Sequence, residues 1–297
     1  MIRWTPENRA AFAGLYRGGA TLSAIRAALP GLTNGAIAGQ AIRMQLHRPS
    51  APQSVRGLSS QHPAVVDGHT MFPTRVREAA AAPNLLAPGA WQRKLGAVIT
   101  KGAWSGFPIY ALTLEERATC PRECHNWATC MGNGMQAAWR NRHGVALERT
   151  LDRELAALQR EHPGGFAVRL HILGDFYSVD YVRRWGEWID RFPALHVFGF
   201  TAWDWLTDIG AAVAVLAFQR WDRFAVRLSS REPGLMRAVT LYDDMPSPRP
   251  DVIVCPAPTG KTRGCNTCGL CWAPAARKKT IAFIAHGPAW EGRPPNG

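Results

Sequence analysis

Short β-type apolar runs begin at Phe166, Leu195, Phe224 and Val252, a spacing of 28 or 29 residues. One strand and its crossover helix need about 30 residues. A period of this length therefore restricts the chain to a parallel-sheet architecture, either a βα barrel or a doubly wound sheet. The pentapeptide FAVRL occurs at 166–170 and again at 224–228, two periods apart. Strands are expected at Phe107–Leu112, Phe166–Leu173, Leu195–Thr201, Phe224–Ser229, Val252–Cys255 and Thr280–Ala285. Helices fit Tyr181–Phe192, amphipathic with Trp185 and Trp188, and Thr207–Trp221.

In a barrel the chemistry gathers at the C-terminal strand ends. Those ends carry Cys120, Gly174-Asp175, Thr201 to Trp203, Ser229-Ser230 and Cys255-Pro256, so both cysteine groups approach one face. All seven cysteines follow residue 119, as Cys120-x3-Cys124-x5-Cys130 and as Cys255 with Cys265-x2-Cys268-x2-Cys271. In a reducing compartment such clusters bind metal more often than they form disulfides. Three thiolates at consecutive x2 spacing suit the corners of an iron–sulfur cubane, with Cys255 as fourth ligand. Structural zinc is the alternative, with His286 replacing one cysteine. Three thiolates in the first group would leave one iron of a [4Fe–4S] cluster open; His125 or His143 could instead complete a zinc site. Asp175 reads either as a pocket carboxylate or as a helix cap working with Ser178. His171 reads as core, and Trp203 and Trp205 as packing or as platforms for a flipped base.

Charge divides the chain. Lys and Arg number 35 against 22 Asp and Glu, a net charge of +13, which points to a polyanionic partner such as nucleic acid. Residues 1–60 alone hold seven Arg against one Glu. There, Thr5 caps a helix with Pro6 in its first turn and Phe12 and Leu15-Tyr16 on its face. A second helix starts at Thr21 or Ser23 and carries Leu22, Ile25 and Leu29. Thr33 caps a third with Ala36, Ile37, Ile42 and Leu46. Three short helices with a tight second turn form a helix-turn-helix pattern. Residues 49–90, with six prolines, an Ala run and poor periodicity, are expected as a linker between a 1–48 domain and a cysteine-rich 91–297 domain. The opening MIRWTPENRAAFAG lacks the pattern of a secretion signal, and no run of eighteen apolar residues occurs. A cytoplasmic protein without a membrane span is expected.

Two resemblances follow. Trp4-Thr5, Glu7, Leu15, Ser23, Ile25, Leu29, Thr33, Ala36, Gly39, Arg43 and Leu46 resemble the N-terminal domain of GcrA-type cell-cycle regulators, departing at Asn34-Gly35. The resemblance implies double-stranded DNA as partner, contacted by Arg43, His47 and Arg48. The cysteine-rich part resembles radical S-adenosylmethionine enzymes, with a three-cysteine loop after the first strand and Leu173-Gly174-Asp175-Phe176 where a Gly-rich turn ends the second. Its last cysteine gap is five residues rather than two. The stretches CPRECHNWATCMGNG and LHILGDFYSVDYVRRWGEWI also look like phage proteins with a three-cysteine motif. The enzyme resemblance implies a partial (βα)6 barrel of the TIM type, behind a small all-α helix-turn-helix domain. It further implies S-adenosylmethionine on the open iron, Gly174 and Asp175 in cofactor binding, and Asp175 as a catalytic carboxylate. The expected function is modification of a nucleobase or nucleotide in DNA. Two alternatives stand beside it. One is a zinc-containing enzyme similar to deazaguanine transglycosylases, with Asp175 as nucleophile and Cys265, Cys268, Cys271 and His286 on zinc. The other is a non-enzymatic metal-containing regulator.

Overall fold

The computed structural model describes residues 2, 4–17, 20, 22–33, 36–37, 40–41, 44, 46, 57–92, 94–241, 250–258 and 260–284. The chain divides into two compact units, Met1–Ser54 and Val55–Gly297. Among the described residues no helix is long and apolar enough to cross a membrane.

In the first unit, α1 (Pro6–Arg17) begins as its sequence dictates. Pro6 occupies the first position, and the Thr5 hydroxyl accepts the Asn8 N–H at 3.3 Å. Phe12 is fully buried, its ring edge-on to Trp4 at 5.3 Å and 5.5 Å from Tyr16. Helix α2 (Leu22–Ala28) adds Ile25, with Leu29 and Leu32 following it into the core. Thr33 then caps the next helical residues through the Ala36 N–H at 3.1 Å, and Ile37 and Ala41 close the core. Arg43, His47 and Arg48, expected at DNA, lie outside the described residues, as do Asn34-Gly35 and Gly39.

The second unit is built on an eight-stranded sheet, mostly parallel. Its strands are β1 (Leu86–Pro88), β2 (Ile109–Leu112), β3 (Phe166–Leu170), β4 (Leu195–Thr201), β5 (Phe224–Ser230), β6 (Arg237–Leu241), β7 (Val252–Val254) and β8 (Thr280–Ile284). They lie side by side in the order β1-β2-β3-β4-β5-β6-β8-β7. Only β1 runs antiparallel, against β2. Helices α3 (Val145–Glu161), α4 (Val179–Arg191) and α5 (Asp208–Gln219) cross between β2 and β5, each packed on the next. A doubly wound sheet reverses its strand order at a switch point; here the order advances without reversal from β1 to β6.

Strand register separates two faces. Phe166, Val168 and Leu170 share one with Val197 and with Phe224 and Val226, together with Tyr110, whose hydroxyl lies 2.8 Å from His162 at the end of α3. The other face carries Arg169, Phe198, Phe200 and Arg227. Phe200 on β4 and Phe283 on β8 meet at a ring distance of 5.3 Å. Two strands lie between them, so a flat sheet would hold their backbones about 14 Å apart at the usual spacing of about 4.8 Å. The sheet therefore curls toward this face, which is concave.

Three expectations change. Residues 57–90 are not linker. Val76–Arg77 pairs with Arg140–Asn141, and Leu86–Pro88 forms β1. The prolines there occupy places that tolerate them: Pro63 opens a helical turn, Pro73 opens a 3-10 turn, and Pro88 ends an edge strand. The regular period also breaks after β5. The interval to Val252 contains β6 and no described helix. Leu228 on β5 pairs with Arg237, so β6 begins level with the end of β5. Residues 231–236 therefore suffice where a full parallel crossover needs a dozen or more. Strand β7 pairs only with β8, at the sheet edge. Finally, α3 was not expected, although Leu147, Leu151, Leu155 and Leu158 recur at helical spacing and are buried.

Candidate functional site at the strand ends

The chain leaves β2 into the loop that carries Cys120, Cys124 and Cys130, and leaves β3 into the turn Gly174-Asp175. Backbone bonds join the two: Leu114 N–H donates to Leu173 C=O at 2.9 Å, and Asp175 N–H to the Thr119 hydroxyl at 2.9 Å. Gly174 has φ +79°, and a Cβ there would stand 2.6 Å from Leu114 Cβ and Thr119 Oγ1. Both its left-handed backbone and its close packing require glycine.

Asp175 is 3% exposed and ties two strand ends together. Its Oδ1 accepts the Phe176 N–H at 2.8 Å, and its Oδ2 accepts the Ala202 N–H at 2.7 Å, beyond β4. Burial pushes its carboxyl up to about 7, against the pull of hydrogen bonds from Ala202, Thr201 and Phe176 and of the Arg169 charge. The helix cap is Ser178 instead, whose hydroxyl accepts the Tyr181 N–H at 3.1 Å. His171 is buried between Phe176 and Tyr181, and burial, aided by Arg169, pushes it down to about 3, so it is neutral. Trp203 donates its indole N–H to Phe176 C=O at 2.6 Å and is part of the packing. Trp205 is 55% exposed and Leu206 79%.

The three thiols of the loop are coupled to one another, and Cys120 and Cys124 to Asp175. Burial raises all three above the usual thiol range, Cys130 to about 11. Beneath them lies a polar scaffold that sequence reasoning missed. Glu116 and Arg140 form a fully buried ion pair at 2.8 Å, and Glu116 also accepts the Thr70 hydroxyl at 2.7 Å. Arg140 further donates to the carbonyls of Gly132, Met135 and Ala138. Arg117 donates to Trp127 C=O, His69 C=O and Asn133 Oδ1, the last at 2.6 Å. The loop is thus clamped from residues 65–72, part of the segment expected as linker.

The second group gathers on another support. Cys265 opens a single helical turn that ends at Cys268, with Gly269 in the left-handed conformation at its C-cap. Cys265 N–H donates to Lys94 C=O at 2.7 Å, Asn266 N–H to Leu95 C=O at 3.1 Å, and Thr100 N–H to Asn266 C=O at 2.9 Å. Trp272 stacks on Trp104 at 5.3 Å and tilts on Phe198 at 4.5 Å, against the concave face. Arg227 donates to the carbonyls of Cys271, Lys279 and Ala276. Cys255, Cys265, Cys268 and Cys271 are mutually coupled, and burial pushes Cys271 up to about 12. Among the described residues, no three His, Cys, Asp or Glu side chains stand in a metal-holding arrangement. The thiols of each group are neighbours without forming a preformed cage. His286 lies outside the described residues, and His143 is exposed, its ring against Tyr177.

Arg169 and Arg227 occupy the same place in the two copies of FAVRL. A charged residue repeated inside two apolar strands was the sequence signal for both.

Residues 90–274 match the family described as Gene product 88. The chain belongs to this family. The matched region contains both cysteine groups, the Gly174-Asp175 turn and β2 to β7. No curated protein and no solved structure gives a significant match.

Proposed function

We propose that this Gene product 88 protein is a DNA-associated iron–sulfur enzyme of the radical S-adenosylmethionine type that modifies a nucleobase or nucleotide. In this reading the curled sheet is a partial (βα) barrel. Cys120, Cys124 and Cys130 hold a [4Fe–4S] cluster with one open iron, and Gly174 and Asp175 help to seat S-adenosylmethionine. Cys255, Cys265, Cys268 and Cys271 hold a second cluster. The first unit brings the enzyme to double-stranded DNA through Arg43, His47 and Arg48.

The observation that carries the reading is the pairing of the three-thiol loop with the Asp175 turn, at the ends of adjacent parallel strands β2 and β3. The unreversed strand order and the Phe200–Phe283 contact favour barrel-like closure. The coupled, buried thiols also fit the chemistry: as neutral groups they are poor ligands, and a cluster cation compensates the ionised form. When bound, the cluster and S-adenosylmethionine would supply an electron and a carbon-centred radical. Asp175 acts by position, since both its oxygens are engaged by main-chain N–H groups.

The same engagement weighs against the zinc-containing base-exchange enzyme, in which Asp175 must attack as a free carboxylate. A metal-containing regulator would keep the thiols but release no product. The test is anaerobic purification with iron, sulfide and zinc analysis, followed by dithionite reduction with S-adenosylmethionine. Iron, sulfide and release of 5′-deoxyadenosine, abolished by Cys124→Ser, are expected. Stoichiometric zinc in place of iron, with no deoxyadenosine, would overturn the radical reading.

A further inference from the structure

Arg169 has no role in the arrangement above. It projects from β3 onto the concave face, level with Ala111 on β2 and Phe198 on β4. Its guanidinium lies 4.8 Å from the Phe200 ring and 6.0 Å from that of Phe198. It is within electrostatic reach of Asp175, of Cys265 and of Cys271. A guanidinium presents five N–H donors in a planar fork. Among the described residues, Arg169 uses it for one hydrogen bond, to the neighbouring Leu170 C=O, and has no ion pair. Arg140 and Arg227, by contrast, are ringed by acceptors.

Arg169 is half-buried and burial lowers its proton affinity, so an anion seated beside it is held more strongly than it would be in open water. Its nitrogens are also not sealed off. Among the described residues, no Arg169 nitrogen is both fully buried and without a partner, and the side chain is half-buried, so its remaining donors are open to solvent or a ligand. Phe200, half-buried and 4.8 Å from the guanidinium, provides an apolar wall beside them for a ring or chain attached to an anionic group, whereas Phe198 lies beneath Trp272.

We propose that Arg169 is the anion-binding residue of a ligand site on the concave face, taking the phosphate or carboxylate of a small molecule that enters there. The site deepens the proposed function, and rests on it only in taking the concave face as the place of substrate or cofactor. Two oxygens of such an anion match the guanidinium fork. The competing role is that of counter-charge to the thiolates of Cys265 and Cys271.

The test uses the full chain, with metal and sulfide measured on every sample. Calorimetry compares deoxynucleoside 5′-monophosphates with their neutral deoxynucleosides, and S-adenosylmethionine with its decarboxylated form. At least one oxyanion-bearing probe is expected to bind about tenfold or more tightly than its counterpart; the pair that shows the preference identifies the source as phosphate or carboxylate. Arg169→Met is expected to erase the preference with metal content unchanged. Arg169→Lys, which keeps the charge without the fork, should keep part of it, and carries the comparison if the Met variant does not fold. No preference in the wild-type chain would overturn the proposal. So would loss of metal in Arg169→Met with the preference intact, which identifies the counter-charge role. An intact preference without deoxyadenosine release defeats the radical reading alone and leaves the anion site standing.

Discussion

The two cysteine groups are each clasped by one buried arginine, and the two clasps differ in charge. Arg140 gathers three loop carbonyls and is neutralised by Glu116 at 2.8 Å. Arg227 gathers the carbonyls of Cys271, Ala276 and Lys279, lies over the Trp221 ring, and has no carboxylate among the described residues. Burial draws its proton affinity down to about 10, and the nearby Cys271 thiol is the group that pulls it back. Arg140 is thus balanced by its own carboxylate, while the buried Arg117 of the same loop acts on Cys124 and Cys130. The second segment holds a cation whose natural counter-charge is an ionised thiol. A shared fold device, the carbonyl-collecting arginine, is thus paired with a carboxylate beside one thiol group and, among the described residues, with none beside the other.

The comparison is sharpest where a charge is stranded. Arg140→Met leaves Glu116 ionised and buried, so a loss of about 3–5 kcal/mol is expected in urea unfolding. The double variant Arg140→Met/Glu116→Leu should recover part of it, and a double variant no more stable than the single one would show that the ion pair is not the source. Arg227→Met strands carbonyls but no carboxylate. It should cost less, about 1–3 kcal/mol, and a loss equal to that of Arg140→Met would break the distinction. Two asparagines repeat the contrast on a smaller scale. Asn133 accepts a charged hydrogen bond from Arg117 at 2.6 Å, whereas the Asn266 side chain donates to Val98 C=O at 3.1 Å. Asn133→Ala is expected to cost about 2 kcal/mol and Asn266→Ala about 1 kcal/mol, by the same measurement.

The last contrast concerns pH. Asp175 sits near 7 when folded and near the ordinary 3.8 when unfolded. Between those values the folded chain holds a proton that the unfolded chain releases. Its contribution to stability therefore falls as pH rises from about 4 to about 7, and is level on either side. Asp175→Asn should remove that slope in the metal-free protein. A wild-type chain that gains stability relative to the variant over this range would contradict the assignment.

How much of this was legible in the sequence follows from which forces leave a pattern. Strands β3, β4 and β5 and helices α4 and α5 were, because a buried strand and an amphipathic helix impose their own periods. Strand β1 was not: Leu86-Ala87-Pro88 is too short to show a period, and its proline suggests a loop. For β6 the error was one of topology, since a staggered start makes the connection too short to resemble a crossover. Both cysteine groups were visible from spacing. Their supports were not, because Thr70, Glu116 and Arg140 are brought together from distant positions and most partners of Arg140 and Arg227 are main-chain carbonyls, which carry no residue identity. The duplicated arginine of FAVRL was the one visible trace of that layer.

The splice between residues 94–100 and 265–266 also sets an order of events during synthesis. Asn266 and Val98 are 168 positions apart, and the Arg227 acceptors extend to Lys279. Everything that braces the first loop, from Thr70 to Ala202, has left the ribosome long before the second segment exists. Until then the concave flank of Trp104 and Phe198 lacks its cover from Trp272. A nascent chain released early would therefore present a finished first thiol group beside an uncovered aromatic floor, the kind of surface that chaperones retain and proteases cut. The late segment around Trp272 acts as the seal for the sheet made before it.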